Sequence, residues 1–201
     1  MLMTATIKME NMLELQKIDH TWTLFLDRDG VINEEKFEDY IYNYNEFRFL
    51  PGVKDALRLL SEIFSTIIIV TNQRGVERNL MSEHDLVLLH QSMLEEIHNS
   101  RGRIDRIYYC TSLNNDHPSR KPNAGMAFQA KKDLPGIDLA KSVMVGNKIT
   151  DMQFGRNAGM FTVHVRTTDP HIPFPNSLID MSCEDLPEFA KLCYDFFQVK
   201  S

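Results

Sequence analysis

Residues 24–33 read LFLDRDGVIN. Three apolar residues, Leu24, Phe25 and Leu26, run straight into Asp27, Arg28, Asp29 and Gly30. The apolar run reads as a buried strand. Two carboxylates two residues apart at its mouth raise each other's pKa unless a cation compensates. A surface turn accounts for Asp-Gly alone, but less readily for the pair. Outward from this stretch, short β-rich runs alternate with helical segments. TWTLFLD (21–27), STIIIVTN (65–72), RIDRIYYC (103–110), KSVMVG (141–146), MFTVHV (160–165) and SLIDM (177–181) read as strands. The second is a continuous β-branched run, as expected of a strand covered on both faces. Helices are expected over 53–64, 82–100, 124–134, 149–158 and 184–197, with Ser82 as an N-cap. Such alternation predicts an α/β fold with a mostly parallel sheet between helices, and ligands bound at the C-terminal ends of the strands.

Four strand ends carry unusual polar residues. The first offers Asp27 and Asp29, and the second Thr71, Asn72, Gln73 and Arg74. After the third come Arg120 and Lys121, and the fourth gives Asn147, Lys148 and, one helical turn on, Asp151. In a parallel sheet these ends share one edge, so three carboxylates and several cations converge. Clustered carboxylates suit a hard cation such as Mg²⁺, which takes oxygen ligands. Arg120 and Lys121 suit phosphate oxygens. A carboxylate beside a metal and a phosphate can attack phosphorus, and a second can move the protons.

The composition is that of a globular protein, with 43% hydrophobic and 25% charged residues and a formal net charge of −6. That balance argues against a nucleic-acid partner, while a small anionic substrate fits a locally basic site. Three cysteines match no zinc motif and read as reduced thiols of a cytoplasmic protein. No stretch has the length of a membrane span, so no membrane partner is expected. Residues 1–21 read as an N-terminal extension and 22–201 as one domain; oligomeric state is not legible.

The runs DRDGVIN, VTNQRGV, SRKPNAG and VGNKITD, in this order, resemble the four motifs of the haloacid dehalogenase (HAD) superfamily of phosphatases. FLDRDGVIN with YIYNYNEFRFLPGV and RKPNAGM is most similar to the branch holding heptose bisphosphate phosphatase and histidinol-phosphate phosphatase. The resemblance spans about residues 22–165. It implies a HAD-like, three-layer Rossmann-like sandwich. It makes Asp27 the nucleophile and Asp29 the general acid/base, with Thr71 and Lys121 holding the phosphoryl group. Asn72, Gln73, Arg120 and Lys148 would face substrate. Asp27, the carbonyl of Asp29, Asn147 and Asp151 would hold Mg²⁺. The intervals between motifs leave no room for a cap domain, so a capless enzyme with a short flap over about 31–50 is expected. Tyr40, Tyr42 and Tyr44 in that flap read as cross-strand packing of a hairpin.

Two departures qualify the resemblance. Asn147 stands where the branch usually has an aspartate metal ligand. The loop before Arg120 offers only Cys110 and His117 where many relatives carry a zinc site, and a closed zinc site needs four ligands, so no zinc is expected. The leading expectation is a Mg²⁺-dependent phosphomonoesterase working through an aspartyl-phosphate on a small phosphorylated metabolite, first a heptose 1,7-bisphosphate. Histidinol phosphate, a nucleic-acid 3′-phosphate, or phospholigand binding with weak catalysis are the alternatives.

Overall fold

The computed structural model describes residues 6–7, 15–36 and 39–199. Its strands are β1 (Thr6–Ile7), β2 (Thr23–Leu26), β3 (Thr66–Asn72), β4 (Arg106–Cys110), β5 (Ser142–Gly146), β6 (Phe161–Val165) and β7 (Met181–Cys183). The helices are α1 (Val53–Ile63), α2 (Glu83–Asn99), α3 (Gly125–Asp133), α4 (Ile149–Ala158) and α5 (Leu186–Gln198). The sheet order is β1-β7-β6-β5-β2-β3-β4. Strands β2 to β7 pair in parallel, and β1 adds an antiparallel edge to β7.

Side-chain alternation divides the core in two. Leu24, Leu26, Ile67, Ile69, Val143, Val145, Val163 and Val165 face α1, α5 and the inner side of α2. Phe25, Ile68, Val70 and Met144 face the other way, against Met126 and Ala127 of α3 and Phe154 of α4. Both faces are dry, which is why these strands read as unbroken apolar runs. From β2 the chain steps to β3 and β4 on one side, then crosses to β5 on the other. That reversal opens a crevice beside the C-terminal end of β2, where Asp27 follows.

Three expectations shift. The strand expected over 177–181 forms at Met181–Cys183, because Asn176 accepts from the Leu178 N–H (2.9 Å) and makes a turn closed on Ile179. β4 begins at Arg106, since Asp105 already ties its N–H and carboxylate to the backbone of Ile67. The flap is no hairpin. Asn43 caps a 3₁₀ turn at Tyr44–Glu46, and the three tyrosines part: Tyr42 bonds Asp39, Tyr44 reaches Glu96 (2.6 Å), and Tyr40 lines the crevice. No inserted cap domain interrupts the described residues. Within residues 1–21, Leu15 and Ile18 are buried in the core, and the strand β1 lies in the sheet. The other residues of that segment up to 14 lie outside the described residues.

Candidate active site

β2 delivers Asp27 to the crevice, and its N–H continues the ladder onto Val145 (3.0 Å). Its carboxylate meets the Nζ of Lys121 at 2.8 Å, and the same ammonium lies 2.7 Å from Asp151 and donates to the Val70 carbonyl (2.9 Å). The three donors of the ammonium thus have three acceptors. All three side chains are buried. Burial and the charge of Asp151 push the Asp27 carboxyl up to about 7, against the pull of Lys121. Burial pulls Lys121 down, but Asp151 and Asp27 outweigh it and hold the ammonium above its ordinary value.

Asp151 arrives through a tight approach of α4 to β5. A Cβ on Gly146 would lie 2.2 Å from that of Asp151, so only glycine fits. One Asp151 oxygen accepts from the Lys148 N–H (3.0 Å) and closes the first turn of α4; the other takes Lys121. Gly30 serves the same end on the other side. Its φ is +80°, and a Cβ there would sit 2.0 Å from Asn147 Nδ2.

Asp29 is held differently. The Nε and Nη2 of Arg28 fork onto its carboxylate (2.9–3.2 Å), and Asn33 and Gln73 each add a bond at 2.9 Å. Burial raises its pKa, but Arg28 and these donors prevail and keep it below the usual carboxylate range. Two carboxylates two residues apart therefore have opposite environments in the cation-free site, Asp27 raised and Asp29 lowered.

These groups line a cleft of about 1000 Å³. Asp27, Asp29, Thr71, Lys121 and Asp151 occupy its floor, while Arg74, Arg78 and Arg120 gather at one end. Arg120 is tied to the Ser112 carbonyl and to Asn115, and Arg74 reaches the same Asn115 oxygen (2.7 Å). Burial, then the charge of Arg74, lowers the Arg120 pKa. The flap contributes Glu34, Glu35, Lys36 and Tyr40; Arg78 lies 5.7 Å over the Tyr40 ring, and Glu35 lies against Lys148.

All of the residues singled out from the sequence converge here, but several are engaged within the protein. Asn72 forms a reciprocal amide pair with the backbone of Lys121 (both 3.1 Å), so it fixes the lysine. Gln73 joins Thr71 Oγ1 to Asp29 (both 2.9 Å). Lys148 is ion-paired with Glu35. Cys110 and His117 approach to 3.6 Å, and among the described residues no three His, Cys, Asp or Glu side chains are grouped to hold a metal ion. For a hard cation the donor set fits: the side chains of Asp27 and Asp151 are oxygen donors, and the buried Asn147 Oδ1 has no hydrogen-bond partner, because its Nδ2 is turned to Thr168 (2.8 Å) and Glu35 (3.2 Å).

Sequence reasoning missed Glu35, Arg78, the Thr167-Thr168-Asp169 loop and the pairing of Arg28 with His90. The loop follows β6 and was accessible to the same strand-end argument; Thr167 bonds the Gly30 carbonyl. Glu35 and His90 carry no local signal, since each acts across more than 60 residues of chain.

Residues 18–169 match the family described as polynucleotide kinase 3 phosphatase. A D-glycero-alpha-D-manno-heptose-1,7-bisphosphate 7-phosphatase of Campylobacter jejuni is 38% identical over 143 residues, covering 71% of this chain and 81% of that protein. The D-glycero-beta-D-manno-heptose-1,7-bisphosphate 7-phosphatase of Haemophilus influenzae is 35% identical, covering 84% and 96%. Among solved structures, a D,D-heptose 1,7-bisphosphate phosphatase from B. bronchiseptica, complexed with magnesium and phosphate, aligns with a TM-score of 0.78 at 27% identity, over 89% of this chain and 99% of that one.

Proposed function

The chain belongs to the polynucleotide kinase 3 phosphatase family of HAD-superfamily phosphatases, and from that premise we propose that it removes one phosphate from a heptose 1,7-bisphosphate or a close sugar bisphosphate. The observation that carries the reading is the cleft itself. A buried Asp27–Lys121–Asp151 cluster sits on its floor, and three arginines gather at one end. A bisphosphate can put one phosphate at each.

In this reading Asp27 attacks the phosphorus of a phosphate monoanion, the bond from phosphorus to the sugar oxygen breaks, and Asp29, ionised at rest, relays the phosphate's proton to that oxygen. Asp29 then takes a proton from the water that attacks the aspartyl-phosphate and passes it to the departing phosphate, which restores Asp27 and leaves Asp29 ionised. Lys121 and Thr71 hold phosphoryl oxygens. Asp27, Asp151, Asn147 Oδ1 and the Asp29 carbonyl would hold Mg²⁺, which when bound supplies positive charge that favours the ionised Asp27 and the phosphoryl oxygens. Three buried, unpaired cysteines support a reducing, cytoplasmic setting.

The family description also raises a nucleic-acid 3′-phosphate as substrate. The net charge of −6 weighs against it, because a strand backbone favours a basic surface. Phosphate release from heptose 1,7-bisphosphates, histidinol phosphate and a 3′-phosphorylated oligonucleotide, with Mg²⁺ titrated, tests the proposal. Turnover of the heptose bisphosphate is expected; preference for the oligonucleotide would replace the substrate, and no turnover would leave ligand binding.

A further inference from the structure

Arg28 is the largest fully buried side chain in the described structure, with 1% of its surface exposed, and it follows Asp27 directly at the cleft wall. A buried guanidinium must find partners for its N–H groups. Its Nε and Nη2 fork onto Asp29, and its Nη1 lies 3.0 Å from Nε2 of His90. His90 belongs to α2 and is itself 5% exposed. Arginine donates only, so His90 Nε2 must be the acceptor and the ring neutral. Burial first, then the Arg28 charge, keeps the imidazole neutral, with its pKa drawn down to about 3. Packing fixes the ring, which tilts against Tyr109 at 5.8 Å between centroids.

We propose that His90 is a positioning residue for the phosphatase reaction: by accepting from Arg28 Nη1 it fixes the plane of the guanidinium, and that plane aims the carboxylate of Asp29. A guanidinium is rigid, so one bond at Nη1 and a fork at Nε and Nη2 together leave it no rotation. Without His90, Asp29 keeps Arg28, Asn33 and Gln73 as donors and hence its charge, but the fork is free to tilt. Aim matters for a carboxylate that must relay a proton to a leaving oxygen. The loss therefore belongs in kcat, with binding of the substrate phosphates untouched.

This inference rests on the phosphatase reading, and the experiment separates the two. His90→Leu and His90→Gln are compared with the natural chain; the glutamine oxygen can accept near the place of Nε2. Phosphate release from heptose 1,7-bisphosphate should show kcat down about tenfold or more in His90→Leu, KM within about twofold, and kcat within about threefold of normal in His90→Gln. In parallel, the Arg28 Nε–H resonance should exchange with solvent about tenfold faster in His90→Leu but not in His90→Gln. Unchanged kcat and exchange in His90→Leu overturn the inference. Equal loss in both variants with a lowered melting temperature also overturns it, as a role in folding alone. A natural chain that turns over no phosphomonoester, with the exchange pattern as expected, overturns the phosphatase reading while the Arg28 clamp stands.

Discussion

The two ends of the cleft are built on different principles. At the floor, Asp27 and Thr71 sit on or directly after strands, Asp151 in the first turn of α4 and Lys121 in the loop before α3, where Asn72 of β3 holds its backbone; all four are buried to 7% exposure or less, and the charged ones bond within 3 Å. At the other end, Arg74, Arg78 and Tyr40 come from loops, and Arg120, though as buried as Asp27, is held by the loop atoms of Ser112 and Asn115. Strand ends locked by both core layers hold atoms in fixed places, which suits a step whose chemistry is the same for any phosphomonoester. Loops vary at little cost to the core, which suits choice of substrate. On the proposed reading, the reaction belongs to the interlocked floor and the choice of substrate to the loops.

That division can be broken most forcefully at Asp27. Asp27→Asn should lower phosphate release by at least about a thousandfold, since a catalytic unit without its nucleophile keeps only binding. The same change should stabilise the fold. The buried carboxyl titrates near 7, against an ordinary value of 3.8. The unfolded chain therefore loses this proton first, and folding is penalised progressively as pH rises from about 4 to about 7. In cation-free buffer at pH 8 the variant should melt about 5 °C higher than the natural chain, with the two curves meeting near pH 4. A variant that melts lower at pH 8 would contradict the buried-charge account.

Lys121→Met comes next. It leaves two buried carboxylates without their shared cation, and should cost about 3–5 kcal/mol in denaturant unfolding at pH 8, besides most of the activity. At the loop end, Arg74→Ala and Arg120→Ala should each raise KM for a heptose bisphosphate by about tenfold, while p-nitrophenyl phosphate hydrolysis changes by less than about twofold. An equal effect on both substrates would erase the division between the two ends. The smallest effect is expected from Asn147→Asp, which should lower the half-saturating Mg²⁺ concentration by about threefold. Glu35 sits 3.2 Å from Asn147 Nδ2, so the gain should shrink in the Asn147→Asp/Glu35→Gln double variant, where a carboxylate charge that the cation would relieve is gone and Lys148 loses its partner.

Legibility in the sequence follows the same line. The continuous run of β3 and the amphipathic α1 announced themselves, because two dry faces and one dry face leave different periodicities. The short β7 slipped by four residues at its start, since Asn176 makes its turn through a side chain and three residues carry little periodicity. Asp27, Lys121 and Asp151 were legible as a group because strand ends in a parallel sheet must converge. Glu35, Arg78 and His90 were not: their partners lie far along the chain, and no rule of spacing links a flap carboxylate to Lys148 or a helix histidine to Arg28. The tyrosines misled for a related reason, as alternation in a loop carries no obligation to pair.

The most direct test is phosphate release from D-glycero-D-manno-heptose 1,7-bisphosphate, both anomers, at millimolar Mg²⁺ and beside histidinol phosphate. The account predicts turnover of a heptose bisphosphate with kcat/KM at least about a hundredfold above histidinol phosphate, because only the bisphosphate reaches both the Asp27 floor and the arginine end. Equal turnover of the two would contradict the role of the arginine end, and absence of phosphate release from either would contradict the account at its centre.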